Sequence, residues 1–290
     1  MEATALIRHR RPGTPGDRQL RRWGVVTATT CLIVFALAGT KAASAGSLAY
    51  VTNSGSANVS VIDTGTKVVL TNIPVGLTPE QIAITPNGLR AYVANAGSNT
   101  VSVINTATNS VTATISVGSN PVGITITPNG AFVYLTNAGS NTVSVIATAT
   151  NTVVDSPIPV GSSPAGIAIT PNGAFAYVAN FISNTVSVIA TATNTVTTTI
   201  PVGQRPDFLT ASPDGVSVYV PNQTSNNVSV IATATNSVIG SPIAVGTAPT
   251  GVAFISVTGF SIPTLSDGGL LFLLVAMAVS LALRIRHTRL

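Results

Sequence analysis

A repeat of 42 or 43 residues constrains the fold of this chain more than any other feature of its sequence. A tetrapeptide of Tyr, two apolar or small residues and Asn starts at Tyr50, Tyr92, Tyr134, Tyr177 and Tyr219, with successive spacings of 42, 42, 43 and 42 residues. A Pro-Asn-Gly or Pro-Asp-Gly turn and a Val-Gly pair recur in the same phase. Units of this length pack against their neighbours in the chain and share a continuous core.

Each unit alternates apolar and polar residues with a period of two. In the second unit, Val101 and Val103 flank Ser102. A period of two with β-branched residues predicts strands, and the Pro-Asn-Gly and Thr-Asn-rich breaks predict tight turns. The strands predicted for the third unit are residues 123–127, 131–136, 142–146 and 152–160. Four strands per unit predict an all-β fold, a five-bladed β-propeller of four-stranded antiparallel blades over residues 46–257.

The phase of the repeat predicts how the propeller closes. The first unit begins at its second strand, residues 47–53, and the last unit is followed by a spare inner-strand sequence, residues 249–255. We expect this C-terminal inner strand to complete the first blade, which would hide two unpaired strand edges. The alternatives are an open arc and a ring formed by two chains.

The units resemble the YVTN family of β-propeller repeats over residues 47–257. The resemblance implies an extracytoplasmic propeller that serves as a binding or structural module at the cell surface. Many members of that family have about seven blades, so five units depart from the commonest form.

Charge and reactive side chains are concentrated at the two ends of the chain. Residues 46–262 contain three basic residues and five acidic ones, so we predict no nucleic-acid binding. Both histidines and the only cysteine lie outside this stretch. The repeats therefore lack the residues of a Ser-His-Asp triad, a Cys-His pair, or a thiolate or imidazole metal site. We expect a protein that is not an enzyme and has no cofactor.

The N-terminal residues 1–45 predict a signal peptide with a signal helix. A basic stretch precedes an apolar run at residues 25–39, and small residues at Ala43 and Ala45 precede the predicted cleavage before Gly46. We expect export by the Sec machinery. The alternatives are a twin-arginine signal at Arg21 and Arg22, and an anchor that is not cleaved.

The C-terminus predicts a membrane anchor. Residues 270–283 are almost wholly apolar, and a basic tail, residues 284–290, follows with Arg284, Arg286 and Arg289. A helix of this length rises about 21 Å, short of a hydrocarbon core of roughly 30 Å, and snorkelling arginines extend its reach. The positive tail predicts a transmembrane helix with its end in the cytoplasm and the propeller outside.

The linker before this helix, residues 258–269, contains a short motif of five residues: Ile262, Pro263, Thr264, Leu265 and Ser266. With the helix and basic tail it resembles an IPTL-type C-terminal sorting signal. The resemblance implies an exosortase-like peptidase in the inner membrane of a Gram-negative bacterium and final placement at the cell surface or outside the cell. Related signals often have Trp where this chain has Gly268, which leaves the sorting enzyme open. The alternative is a plain anchor that tethers a periplasmic propeller.

Some residues differ from those that the other units have at the same position, and we say that they depart from the repeat; the fold does not require them. Most lie in two sets of loops, those that join an outer strand to the next inner strand and those that follow the repeated tetrapeptide. These two sets are predicted to share one face of the propeller. The candidate ligand rim consists of Glu80, Phe181, Arg205, Asp207 and Phe208, and Gln81, Ile182, Gln204, Gln223 and Thr224 also depart from the repeat. We expect an unknown ligand or protein to bind there, and ordinary repeat drift is the alternative. Glu80 and Asp207 belong to junctions that are not adjacent, so we do not expect a paired-carboxylate site.

These observations predict an exported, cell-envelope-sorted propeller that acts as a non-enzymatic surface binding or structural module. The alternative is a propeller hydrolase of the lactonase-like kind. Such an enzyme needs a metal or acid-base cluster at the central channel, and residues 46–262 offer no histidine and five scattered acids.

Overall fold

The structure of the protein is a computed structural model that describes residues 47–255, all within the second of two units of the chain, Gly46–Leu290. The predicted signal peptide, sorting motif, transmembrane helix and basic tail lie outside the described residues. Within residues 47–255, no helix is long and apolar enough to cross a membrane.

Short antiparallel strands form five sheets, which we call blades 1 to 5. Blade 1 contains β1 (Leu48–Asn53), β2 (Asn58–Asp63) and β3 (Val68–Pro74). Blade 2 contains β4 (Pro79–Ile84), β5 (Arg90–Asn95), β6 (Thr100–Asn105) and β7 (Ser110–Ser116). Blade 3 contains β8 (Pro121–Ile126), β9 (Phe132–Asn137), β10 (Thr142–Ala147) and β11 (Thr152–Pro159). Blade 4 contains β12 (Pro164–Ile169), β13 (Phe175–Asn180), β14 (Thr185–Ala190) and β15 (Thr195–Pro201). Blade 5 contains β16 (Thr210–Ala211), β17 (Ser217–Asn222), β18 (Asn227–Ala232), β19 (Ser237–Val238) and β20 (Ile243–Ala244).

The strands follow one another across each sheet in chain order, from the inner strand to the outer strand. In blade 5 the outer strand is divided, and β19 and β20 both pair with β18. The four strands predicted for the third unit are confirmed, because β8 to β11 begin and end within two residues of the predicted bounds. The all-β fold of antiparallel blades is likewise confirmed.

The Pro-Asn-Gly turns join the inner strand of a blade to the second strand. In blade 2, the Thr85 hydroxyl donates to Asn87 Oδ1 at 2.7 Å, and the Gly88 amide donates to the Thr85 carbonyl at 2.7 Å. Gly88 has a φ of 71°, a conformation that glycine adopts without steric cost. The turn residues therefore recur in blades 2 to 5 because the backbone conformation recurs there.

Each junction between consecutive blades is an apolar core built from two different sheet faces. The forward face of blade 2 contributes Tyr92, Val101, Val103 and Ile115, and the back face of blade 3 contributes Ile124, Val133, Leu135 and Ile146. Equivalent residues form the other three junctions. Every blade consequently has a forward face and a back face of different composition, which fixes the direction in which blades stack.

A tyrosine hydroxyl links each blade to the next. The hydroxyl donates to the side-chain oxygen of an Asn in the outer turn of the following blade, in the pairs Tyr50 with Asn109 at 2.8 Å, Tyr92 with Asn151 at 2.8 Å, Tyr134 with Asn194 at 2.6 Å and Tyr177 with Asn236 at 2.5 Å. Burial raises the pKa of Tyr134 and of Tyr177 to about 12, with the Asp155 charge adding to the effect at Tyr134. Both tyrosines therefore remain neutral donors at physiological pH.

The Asn that ends the repeated tetrapeptide is buried and lies against the glycine of the preceding Val-Gly pair. In blade 4, Asn180 Nδ2 donates to Thr185 Oγ1 at 3.0 Å and to Ser187 Oγ at 2.9 Å. A Cβ atom added to Gly161 would lie 2.6 Å from Asn180 Cγ. The contact recurs at Gly76, Gly118 and Gly203. Two of the sequence markers thus share a period because they touch each other.

The predicted closure is corrected by the structure. Residues 249–255 lie beside the inner strand of blade 5, where Phe208 forms a parallel bridge with Gly251. They do not pair with β1, which is bonded to β2 alone, so blade 1 has three strands. The glycine that ends each of blades 1 to 4 lies against the buried asparagine of the following blade. Gly246, at the end of blade 5, has no atom of residues 47–255 within 4 Å of an added Cβ, so blade 1 does not reach the position of a following blade. Residues 47–255 therefore form an open arc.

We predict that Gly161→Ala destabilises the protein, because the new methyl group overlaps the buried Asn180 side chain. Overpacking of this kind costs about 1–3 kcal/mol in the free energy of unfolding. The matched control is Ser162→Ala at the neighbouring exposed position, which we expect to change stability by at most about 0.5 kcal/mol. Chemical denaturation of the full chain measures both changes, and equal stability of the two variants would contradict the Asn-glycine contact.

Candidate functional site

The same backbone frame surrounds each junction on the face that holds the predicted rim. Between blades 4 and 5, the Gln223 amide donates to the Arg205 carbonyl at 2.9 Å, and the Thr224 amide donates to the Gln204 carbonyl at 3.2 Å. Equivalent amides bond the loop before each of blades 2, 3 and 4. Differences between junctions on this face therefore reside in side chains.

A cleft of about 620 Å³ lies on this face at the junction of blades 4 and 5. Six residues line it: Phe181, Ile182, Asn184, Gln204, Arg205 and Thr224. The lining combines one cation, two apolar side chains and three uncharged polar side chains. The cleft is therefore able to contact an anionic group and an apolar surface of one ligand.

Arg205 and Phe181 form the centre of the cleft. The Arg205 guanidinium carbon lies 5.4 Å from the centroid of the Phe181 ring, a cation-π contact worth about 0.5–1 kcal/mol at an exposed site. The Arg205 backbone has a φ of 54°, and its amide donates to Asn184 Oδ1 at 2.8 Å. The amide bond fixes the backbone of the loop, and the Phe181 ring contacts the guanidinium, whose planar N–H groups match the two oxygens of a carboxylate.

The equivalent junction positions hold smaller side chains. Where Phe181 stands, blades 2 and 3 have alanine, and where Ile182 stands they have glycine. The position of Arg205 holds Thr78, Asn120 and Ser163 at the preceding junctions. The fold requires none of the larger side chains, since the frame forms without them.

The structure brings together part of the predicted rim. Phe181 and Arg205 meet in the cleft, together with Ile182, Gln204 and Thr224, which also depart from the repeat. Asn184 was missed by the sequence argument because the repeat has Asn at the same position in blades 2, 3 and 5. Comparison of the units singles out only residues that differ between them, so it does not identify a residue that stabilises the loop in every unit and also lines the cleft.

The other three predicted rim residues lie outside the lining of the cleft, Glu80 on the inner strand β4 and Asp207 and Phe208 in the segment just before β16. Glu80 is exposed on β4, where its carbonyl accepts a hydrogen bond from the Thr52 hydroxyl. Asp207 is 8% exposed, and burial raises the pKa of its carboxyl group. Phe208 is half-buried, and its amide donates to the Thr250 carbonyl at 3.0 Å.

The described residues show no cluster of acidic groups. Glu80 and Asp207 occupy the same repeat position in blades 2 and 5, and the inner strands β8 and β12 separate them. Within residues 47–255, no group of three or more His, Cys, Asp or Glu residues is arranged to hold a metal ion. Clefts of about 310 and 210 Å³ near the Pro-Asn-Gly turns are lined by equivalent residues of two successive junctions and thus belong to the repeat.

The family model described as "Lactonase, 7-bladed beta-propeller" matches residues 40–156 and 147–241. The two matches together cover more than half of the sequence. The chain belongs to this lactonase family. The described residues of this lactonase-family propeller form five sheets, against seven blades in the family description. No curated protein matches the sequence.

Solved structures with the same fold are longer than this lactonase-family chain. Kuenenia stuttgartiensis hydrazine synthase is 27% identical with a TM-score of 0.62, covering 68% of this chain and 63% of the other. A functionally unknown protein from Desulfotomaculum acetoxidans DSM 771 is 21% identical with a TM-score of 0.66, covering 72% and 69%. Streptogramin B lyase is 18% identical with a TM-score of 0.61, covering 71% and 69%. The chain thus spans about two thirds of each structure.

We predict that Asp207→Asn raises the melting temperature at pH 7 and leaves it unchanged at pH 3. Burial raises the folded-state pKa, so ionisation of Asp207 opposes folding. Below the ordinary pKa of Asp the group is neutral in both states, and stability falls as the pH rises from that value through the folded-state pKa. Thermal unfolding of both proteins across this range measures the difference. A variant that is less stable at pH 7 would show that the carboxylate is stabilised in the fold.

Proposed function

We propose that this protein is a non-enzymatic binding module of the cell envelope, with its ligand in the cleft between blades 4 and 5. The observation that carries the proposal is the convergence of side chains that depart from the repeat. Phe181, Ile182 and Arg205 replace small residues and line one cleft on an unchanged backbone frame. Side chains that the fold does not need, gathered in one place, support a role in recognition.

The lining of the cleft favours a ligand with one carboxylate on a hydroxylated body. Arg205 supplies a bidentate partner for the carboxylate. Asn184, Gln204 and Thr224 supply donors and acceptors for hydroxyl groups, and the apolar surface of Ile182 supports the carbon skeleton. Since residues 46–262 carry more acids than bases, a strongly charged polyanion is not favoured. An acidic oligosaccharide has the required chemistry.

Hydrolysis of a lactone is the second candidate function, and the family match favours it. Ring opening by water requires a base to activate the water and a group that stabilises the oxyanion. Glu80 on the inner strand β4 and Asp207 just before the inner strand β16 occupy equivalent positions, and they lie in blades 2 and 5. The binding proposal needs no such pair, and for this reason we rank it first.

We predict that a variant with Phe181→Ala, Ile182→Gly and Arg205→Asn loses binding of an acidic probe, a galactose oligosaccharide that carries a single galacturonate residue, at least tenfold while keeping its melting temperature. The three changes install the residues of the junction between blades 2 and 3, and asparagine already has a positive φ at position 120. The loss of the guanidinium removes the partner of the carboxylate. Isothermal titration of the full chain with the acidic probe and with neutral oligogalactose measures the effect.

The matched control is Asn120→Ser, which exchanges the residue equivalent to Arg205 at a junction without the cleft side chains. It should bind the acidic probe as the unchanged protein does. Equal binding by the triple variant, or no binding of the acidic probe by the unchanged protein, contradicts the proposed ligand site. Hydrolysis of a δ-lactone that depends on Glu80 or Asp207 would replace the binding proposal with the enzymatic one.

We also propose that the protein is exported and then sorted at the cell envelope. The support comes from the sequence outside the described residues: the small residues Ala43 and Ala45 after an apolar run, and the motif of residues 262–266 before an apolar segment and a basic tail. The proposed partners are the Sec machinery, the membrane and an exosortase-like peptidase.

We predict a mature species that begins near Gly46 and ends near residue 262 when the chain is expressed with its sorting peptidase. Intact mass spectrometry of the outer envelope and the medium detects it. A strain without the peptidase should retain the tail and hold the protein in the inner membrane. If the tail persists in both strains, the protein is instead a propeller tethered to the membrane on the periplasmic side.

A further inference from the structure

Within residues 47–255, the open arc leaves an apolar sheet face at each end that no neighbouring blade covers. The back face of blade 1 carries Ala49, Val51, Ile62 and Val69, and we call it the leading surface. The forward face of blade 5 carries Tyr219, Val228, Val230 and Ile243, and we call it the trailing surface. Residues 249–255 cover its inner part, since the Phe254 ring lies edge-on to Tyr219 with 5.1 Å between the ring centroids and Val228 and Val230 are buried, whereas its outer part at Ile243 is exposed. Val51 is 43% exposed, whereas the equivalent Val93 is fully buried, and Ile243 is 48% exposed against 4% for Ile200.

The repeat shows what covers such faces. At each of the four junctions within the chain, a forward face packs against a back face of equivalent sequence. The trailing surface is a forward face and the leading surface is a back face. The two ends of the arc therefore carry the two halves of one further junction.

The backbone at the trailing end already has the geometry of an occupied junction. The Ala248 amide donates to Asn226 Oδ1 at 2.8 Å, as the Asn120 amide donates to Asn99 Oδ1 at 2.8 Å. At occupied junctions, the two carbonyls of this loop accept amides from the following blade, for example Thr78 from Ala96 at 2.9 Å. Within residues 47–255, the carbonyls of Thr247 and Ala248 accept no such bond.

The leading end presents the matching donors. By the repeat, Ser54 and Gly55 correspond to Ala96 and Gly97, whose amides donate to the preceding loop. Within residues 47–255, the amides of Ser54 and Gly55 donate to no loop carbonyl. The ends of the arc are thus complementary in hydrogen bonds as well as in apolar surface.

The strand edges are complementary too. Residues 249–255 lie along the inner strand of blade 5 in the position of the next inner strand, because Phe208 and Gly251 bridge in parallel. In blade 2 the inner strand pairs with the second strand through Ile82 and Val93. Among residues 47–255, no strand pairs with the inner edge of β1. A free edge accepts an added strand through main-chain hydrogen bonds.

We propose that a second copy of this chain covers each end, so that the trailing surface and residues 249–255 of one copy pack on blade 1 of the next. The chain's own first blade is not the occupant in the structure, since β1 does not pair with residues 249–255. The family description has seven blades, and about a third of each aligned propeller has no counterpart in this chain, so five blades placed on a ring of that size would leave the ends of one chain apart. A head-to-tail contact of this kind produces a ring where the rotation closes and an extended series where it does not.

The proposed joint makes specific contacts by analogy with the internal junctions. Gly246 of one copy lies against Asn53 of the next, as Gly161 lies against Asn180. Thr247 of one copy lies against Gly55 of the next, as Ser119 lies against Gly139 with 3.0 Å between the serine Cβ and a Cβ built on the glycine. The Tyr219 hydroxyl faces Lys67, which occupies the position of the asparagine acceptors and acts as a donor instead.

Cysteine cross-linking between two separately tagged chains tests the proposal. One chain carries Gly55→Cys and the other Thr247→Cys, both with Cys31→Ser, and the full chains are purified in detergent, mixed and oxidised. Neither variant is able to form the bond within itself, so a disulfide between the two tags reports contact between copies. A short adjustment from 3.0 Å brings the Cβ atoms to the separation of about 3.8 Å that disulfides have. We expect most of the mixed protein to form the covalent heterodimer.

Two controls make the result decisive. Ser119→Cys mixed with Gly55→Cys should not cross-link, because position 119 is the equivalent of 247 at a junction that is already occupied. The double variant Gly55→Cys with Thr247→Cys distinguishes the partners. Covalent multimers support the proposal, whereas a disulfide confined to one chain shows that a single chain closes its own ring and overturns it.

A second variant tests the joint without cysteines. Gly246→Leu places a side chain where Asn53 of the next copy must lie, while no atom of residues 47–255 lies within 4 Å of a Cβ built at this glycine. We expect native mass spectrometry to show dimers or longer series for the unchanged protein and monomers for the variant, with an unchanged melting temperature. An unchanged protein that is monomeric at micromolar concentration, or a variant that associates equally well, overturns the proposal.

Discussion

The contact between a buried asparagine and a glycine of the preceding blade determines how closely consecutive blades approach. At each occupied junction the amide side chain fills the space that a Cβ would take, and a tyrosine hydroxyl ties the outer turn of the next blade. With these two contacts in place, the valine and isoleucine side chains between the sheets are buried almost completely. The stacking of the blades depends on this spacing. So do the loop frame and the candidate cleft on one face, and the smaller clefts near the Pro-Asn-Gly turns on the other face. The buried amide oxygens of Asn95, Asn137, Asn180 and Asn222 have no hydrogen-bond partner in the described residues, so the packing forms at some cost in polar satisfaction.

The strands and turns could be predicted from the sequence because the repeat provides several independent copies of one pattern. The alternation at Val101 to Val103 and the Pro-Asn-Gly turns locate strands that the structure places within two residues. It also identified residues 249–255 as an inner-strand sequence, and they do lie beside blade 5. It could not decide closure, because the curvature of the arc depends on the packing angle at each junction. No residue pattern in a single unit reports that angle.

The candidate site was predicted in part for a related reason. Departures from the repeat found Phe181 and Arg205, since no other unit has a similar side chain at these positions. The same comparison also selected Glu80 on β4 and Asp207 and Phe208 just before β16, and none of the three lines the cleft. Whether a departing side chain points into the cleft or along a strand depends on the backbone at that point. The stacking of Arg205 on Phe181 joins two loops that are 24 residues apart in the chain, and alternation within a strand carries no information about it.

The open arc also bears on how such a chain changes in evolution. A closed ring fixes the number of blades, because gain or loss of one unit alters the angle at every junction. An arc whose blades contact only their neighbours has no such restriction, and deletion or duplication of one unit leaves the remaining junctions intact. Blades 2, 3 and 4 are similar enough in sequence for their coding segments to recombine with one another. The number of blades in related arcs is therefore free to change one unit at a time. The two terminal faces, and the contacts that they offer, stay the same.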